Sequence, residues 1–208
     1  CYTPPANDLC PSATPLPCGT NALAGTTIAS ISETSPGCVS NYGVWYSFTG
    51  DGDVTTITTQ NVSLDVEFAL FSGSCGSLTN ITCEDASGAT NPEVYTFSTT
   101  NGVNYFLYVG YFEPGTTTGD FTISRSCSTA STADCAGATQ VCTDQTFSAN
   151  SDGFGLVQEL NSSNYGCFAG GTSTGEDQSS WYYFQAAIDG VVEFTINPSN
   201  PATDYDFI

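Results

Sequence analysis

Apolar residues recur at every second position in several stretches of the chain. Val44, Tyr46 and Phe48 form one such series, and Tyr105, Leu107 and Val109 another. In a third, Leu64, Val66, Phe68 and Leu70 alternate with Asp65, Glu67, Ala69 and Phe71. Successive side chains of a strand point to opposite faces, so this period predicts half-buried β-strands. Residues 94–98 and 121–125 are shorter candidates. Asp51-Gly52, Ser72-Gly73, Asn101-Gly102, Pro114-Gly115 and Asp189-Gly190 supply turns between them. No segment joins a 3.6-residue period to a helix-forming composition. The pattern predicts an all-β chain built as β-sandwiches of jelly-roll or immunoglobulin-like type.

The pattern also repeats. Asn7-Asp8-Leu9-Cys10-Pro11-Ser12-Ala13 returns as Ala133-Asp134-Cys135-Ala136-Gly137-Ala138, and Cys18 returns as Cys142. Tyr42-Gly43-Val44-Trp45-Tyr46-Ser47-Phe48 matches Ser179-Ser180-Trp181-Tyr182-Tyr183-Phe184, and Leu64-Asp65-Val66-Glu67-Phe68 matches Thr203-Asp204-Tyr205-Asp206-Phe207. Self-similarity of this kind marks tandem domains. Residues 1–6 are expected to end a preceding linker, 7–127 to form a first sandwich, 128–133 a linker, and 134–208 a second sandwich. Copy one continues well past Asp65, whereas copy two stops just after Asp206. The second copy is therefore expected to be incomplete, either as a window on a longer chain or completed by strands from elsewhere.

Charge narrows the function. Among 208 residues, 21 Asp and Glu face one basic residue, Arg125, and with no His the formal net charge is −20. Nucleic-acid binding requires cations that displace phosphate counterions, and one Arg cannot supply them. Anionic membrane surfaces are excluded on the same ground, and no apolar run approaches the ~20 residues of a membrane-spanning helix. Without His or Lys there is no Ser-His-Asp or Cys-His system, no imidazole metal ligand and no Schiff base. Carboxylates, Tyr and thiols remain, but no Asp-Ser/Thr-Gly triplet marks an aspartic protease. The expectation is a protein that is not an enzyme.

The 10 cysteines lack any Cys-x-x-Cys pair, which disfavours zinc and favours disulfides in an oxidising, extracellular setting. Connectivity is not fixed by sequence, but the repeat pairs Cys18 with Cys38 and Cys142 with Cys167, each within its own copy. Cys75 and Cys83 flank a short turn and are expected to staple a hairpin. Cys1–Cys10 and Cys127–Cys135 would then clamp the domain junctions. A rival scheme joins Cys10 to Cys127 and leaves Cys1 and Cys135 for other segments.

Asp65 and Glu67 lie two apart on one predicted strand and share a face, and Asp204 and Asp206 hold the same places in copy two. Three accounts stand open: a solvated strand face, a Ca²⁺ site to which Asp8 or Asp134 contributes, or an acid/base pair. Trp45 and Trp181 are either core pins beside a disulfide or an aromatic platform for sugars, with Tyr42, Tyr111 and Phe112 as further binding candidates. Asn61, Asn80 and Asn161 each begin an N-glycosylation acceptor triplet.

The order Asn-Asp-x-Cys, Val-Trp-Tyr-x-Phe-Thr, Leu-Asp-Val-x-Phe-Ala-Leu-Phe-Ser-Gly-Ser-Cys-Gly-Ser-Leu and Gly-Val-Asn-Tyr-Phe-Leu-Tyr-Val-Gly, running from Asn7 to Gly110, resembles a known repeat. It is similar to the pre-peptidase C-terminal-like β-sandwich repeats of large secreted surface proteins of Bacteroidota. The resemblance implies a non-catalytic module of an adhesin, a surface filament or an exported enzyme, with no catalytic residues to transfer. The expected function is a structural repeat segment at the outer cell surface, in contact with neighbouring repeats or subunits of the same protein. The alternative is a carbohydrate-binding module of a secreted hydrolase, contacting surface glycans.

Overall fold

The three alternating stretches form strands in the computed structural model, which describes residues 2–33, 39–61, 64–112, 117–142, 146, 148–149, 155–160, 179–202 and 207. The chain divides into two units, Cys1–Thr129 and Ala130–Ile208.

The first unit holds β1 (Thr14–Pro15), β2 (Thr20–Thr26), β3 (Val44–Thr49), β4 (Val54–Gln60), β5 (Val66–Ser74), β6 (Ser77–Glu84), β7 (Glu93–Ser98), β8 (Asn104–Tyr111) and β9 (Asp120–Ser128). They build two sheets, ordered β1-β3-β8-β5-β6 and β2-β9-β4-β7. The chain changes sheet at every connection except the β5–β6 hairpin. Val44, Tyr46, Phe48, Phe68, Leu70 and Leu107 of one sheet meet Ile57, Phe97, Phe121 and Ile123 of the other in a shared core. This is a β-sandwich. Each such side chain contributes roughly 1.5–3 kcal/mol on burial.

β5 departs from the half-buried expectation: Val66 through Phe71 are all buried. Its outward residues Ala69 and Phe71 join Val39, Trp45 and Tyr108 in a second, smaller core, against which Cys10 and Ala13 of the N-terminal segment pack. The five-stranded sheet is thus covered on both faces along its central strands. A carboxylate on the outward face of β5 is therefore withdrawn from water.

Strand register overturns the local disulfide scheme. Thr20 of β2 pairs with Arg125 of β9. Two steps back along β2 and two steps on along β9, the same antiparallel register aligns Cys18 with Cys127, and these two are bonded. Cys10 is bonded to Cys75 at the tip of the β5–β6 hairpin. The expected pairs Cys1–Cys10, Cys18–Cys38 and Cys127–Cys135 are excluded by these two bonds, and so is the rival Cys10–Cys127. Cys75–Cys83 fails for the same reason. In addition, Cys83 lies opposite Ala69, six positions down β5 from Cys75, roughly 20 Å at the strand rise. Cys83 is itself disulfide-bonded. Cys142–Cys167 falls on Cys167, outside the described residues. The two bonds span 65 and 109 positions, so each removes about 4–5 kcal/mol of unfolded-state entropy in the chain-entropy model.

The second unit carries β10 (Thr139–Gln140) and β11 (Tyr182–Tyr183), paired in parallel. They reproduce β1 and β3 bond for bond. Trp45 N–H donates to Asn7 O, and Leu16 N–H to Ser47 O; Trp181 N–H donates to Thr132 O, and Val141 N–H to Tyr183 O. A short 3-10 turn precedes each small strand, at Cys10–Ser12 and Cys135–Gly137.

Candidate functional site

β5 and β6 form a hairpin whose open end gathers three carboxylates. Phe68 pairs with Glu84; continued one rung, the register sets Asp85 across from Glu67, and Asp65 lies two residues earlier on the same face. Carboxylate oxygens of Asp65, Glu67 and Asp85 all lie within 4.8 Å of one another. Asp85 is exposed, Asp65 is half-buried and Glu67 is 0% exposed.

The opposite flank of Glu67 explains its burial. Its partner on β8 is Gly110, where a Cβ would come within 2.6 Å of Val39 Cγ1. The missing side chain lets Val39 settle against the sheet beside Glu67, and Val39 in turn bridges Phe112. Neither Oε of Glu67 has a hydrogen-bond partner, and Oδ1 of Asp65 is buried and also lacks one. Burial, then the charges of Asp85, Asp65 and Glu93, push the Glu67 carboxyl up to about 8. Burial and then Asp85 raise Asp65 as well.

No cationic side chain relieves this cluster. The chain has a single basic residue and no His, and that residue, Arg125, donates to Leu16 O and Thr55 Oγ1 over the ring of Phe48. Nearby Glu93 is occupied differently: its two oxygens accept the N–H groups of Ala86 and Ser87, fixing the connection that follows Asp85. All the donors in the cluster are oxygens, the set preferred by hard cations.

The other expected ligands stand apart. Asp8 Oδ1 accepts the Ile31 N–H at 2.8 Å. Asp134 Oδ1 accepts the Val157 N–H, and its Oδ2 accepts from Ser131 N–H and Oγ–H. Both carboxylates tie backbone in their own unit, and Asp8 is not among the three that cluster. Asp204 and Asp206 lie outside the described residues. Asp85 was not anticipated; the β5–β6 register is the signal that finds it. Cys18, Asp51 and Cys127 also group closely, but those two sulfurs are bonded to each other.

The aromatic platform is corrected at Trp45, whereas Trp181 is half-buried. Trp45 is 4% exposed, packs on Tyr108 and Phe71 and donates its Nε1–H to Glu33 Oε2, so it is a pin of the outer core. Tyr111 is buried too, its hydroxyl donating to Asp120 O; Tyr42 is half-buried, and Phe112 is exposed. Asn61 donates its amide to Asp120 O and the Tyr111 hydroxyl and is half-buried. Asn80 is exposed on β6, and Asn161 lies outside the described residues.

No protein-family model matches the chain, and no curated relative does. Among the solved structures similar to part of it are two. One is the pre-peptidase C-terminal domain of a collagenase from Bacillus anthracis, at 17% identity and a TM-score of 0.39, covering 55% of this chain and 94% of that one. The other is PliG of Aeromonas hydrophila, a periplasmic inhibitor of g-type lysozyme, at 12% identity and a TM-score of 0.36, covering 56% of this chain and 96% of that one.

Proposed function

We propose that the chain is a non-catalytic structural repeat segment of an extracellular adhesin or surface filament, in contact with further repeats or subunits of its own protein. The observation that carries this reading is the bond-for-bond return of the β1–β3 arrangement as β10–β11, with Trp45 and Trp181 in equivalent backbone bonds. Tandem reuse of one scaffold is how extended proteins gain length. Two long-range disulfides support a compartment outside the reducing cytosol. β6 and β7 end their sheets, and such edges offer unpaired backbone groups to a neighbouring repeat. The carbohydrate-module alternative loses Trp45, which is enclosed, and Tyr111, which is buried.

Antibody raised against the folded first unit tests the reading on intact cells of the source organism. Dense labelling of unpermeabilised cells, removed by surface proteolysis, is the expected result. Signal confined to culture fluid and co-purifying with a hydrolase would overturn it.

A further inference from the structure

We propose that Asp65, Glu67 and Asp85 form a calcium site that locks the open end of the β5–β6 hairpin, whether or not the chain belongs to a filament. Three exposed acids would carry no such meaning, because water solvates them. Glu67 is different: it is fully enclosed, aims two unpartnered oxygens into the cluster, and has no cationic side chain within reach. Its charge needs either a proton or an ion from outside. The spacing suits an ion. Calcium–oxygen distances of about 2.3–2.6 Å place ligands on opposite sides of the ion about 4.6–5.2 Å apart, and the three carboxylates lie within 4.8 Å of one another.

The residue types choose the ion. Nitrogen and sulfur donors are missing from the cluster, which disfavours zinc and copper. Magnesium demands a near-octahedral shell and gives up water reluctantly, whereas calcium accepts the irregular set offered by one strand and two flanking loop residues. Glu67 comes from β5, Asp65 from the residue just before it, and Asp85 from the start of the connection to β7. Binding therefore joins strand to loop, and exposed Asp85 gives the ion its way in.

Calcium chloride alone is the probe, applied to the full 208-residue chain after EDTA treatment, with titration calorimetry and thermal melts read together. Calcium at 100 times its dissociation constant should raise the melting temperature by about 5–10 °C. The exposed substitution Asp85→Asn, which leaves the core untouched, should weaken binding at least tenfold. Glu67→Gln should raise the calcium-free melting temperature while abolishing the calcium increment. No binding heat and no shift at about 10 mM calcium, well above the range of weak extracellular sites, would overturn the proposal. A shift unchanged in Asp85→Asn and Glu67→Gln would overturn it equally, and a magnesium shift as large as that of calcium would overturn the choice of ion.

Discussion

The guanidinium carbon of Arg125 lies 3.8 Å above the ring centroid of Phe48, so the chain's one basic side chain is part of the sandwich interior. Arg125 is 3% exposed and donates to Leu16 O at 3.1 Å and Thr55 Oγ1 at 3.2 Å. A desolvated cation–π contact contributes about 2 kcal/mol. Native protein should therefore resist trypsin, although the sequence offers a cut after Arg125. In denaturant the chain should be cut once. The fragments should stay together until reductant is added, because Cys18 and Cys127 lie on opposite sides of the cut. Gel electrophoresis with and without reductant checks this. Fragments that part without reductant would contradict the Cys18–Cys127 bond.

Removing that bond should be costly. It links β9 to the segment entering β2 and closes nearly the whole first unit. The double substitution Cys18→Ser with Cys127→Ser should lower stability by up to about 5 kcal/mol in urea unfolding. A change below about 1 kcal/mol would show that β2–β9 pairing alone holds the ends.

Stability without calcium should fall as pH rises. Glu67 is raised from 4.5 to about 8 by burial and by Asp85, Asp65 and Glu93. A carboxyl raised in the folded state holds its proton there more tightly than in the unfolded chain. Its contribution is complete below the unfolded value and is lost as pH climbs through about 8. Asp65 acts in the same direction. Urea midpoints measured in EDTA should decrease from about pH 5 to about pH 8.5, and Glu67→Gln should flatten the slope. A midpoint that increases over this range in wild-type protein would contradict the burial of Glu67.

Asp8 has a backbone role. Its Oδ1 holds the Ile31 N–H at 2.8 Å, 23 positions along the chain, as Asp134 holds Val157 in the second unit. Asp8→Ala should cost about 0.5–1.5 kcal/mol, the net worth of one hydrogen bond. Chemical denaturation gives the value directly; Asp8→Ala with wild-type stability would mean that water replaces the carboxylate.

Much of the sandwich is legible in the chain because β3, β5 and β8 bury apolar side chains at every second position. β2, β4 and β6 are harder. Thr20–Thr26 is a largely exposed edge strand, Val54–Gln60 is mostly threonine, and Ser77–Glu84 is polar on both faces, so none shows a clear apolar period. The disulfides were illegible because register, and not proximity in sequence, brings cysteines together. The acidic site shows the same limit. Asp65 and Glu67 announce themselves, but their third member depends on one irregularity. Counted back from the Ser74–Ser77 pair, the hairpin would set Glu84 opposite Glu67. The register shift between Leu70 and Phe71 moves the pairing by one residue and brings Asp85 there instead.

The most direct test of the structural role is electron microscopy of native surface material labelled with antibody to the first unit. The account predicts label repeating along extended fibres or stalks. Label on compact, discrete particles, with none on extended structures, would contradict it.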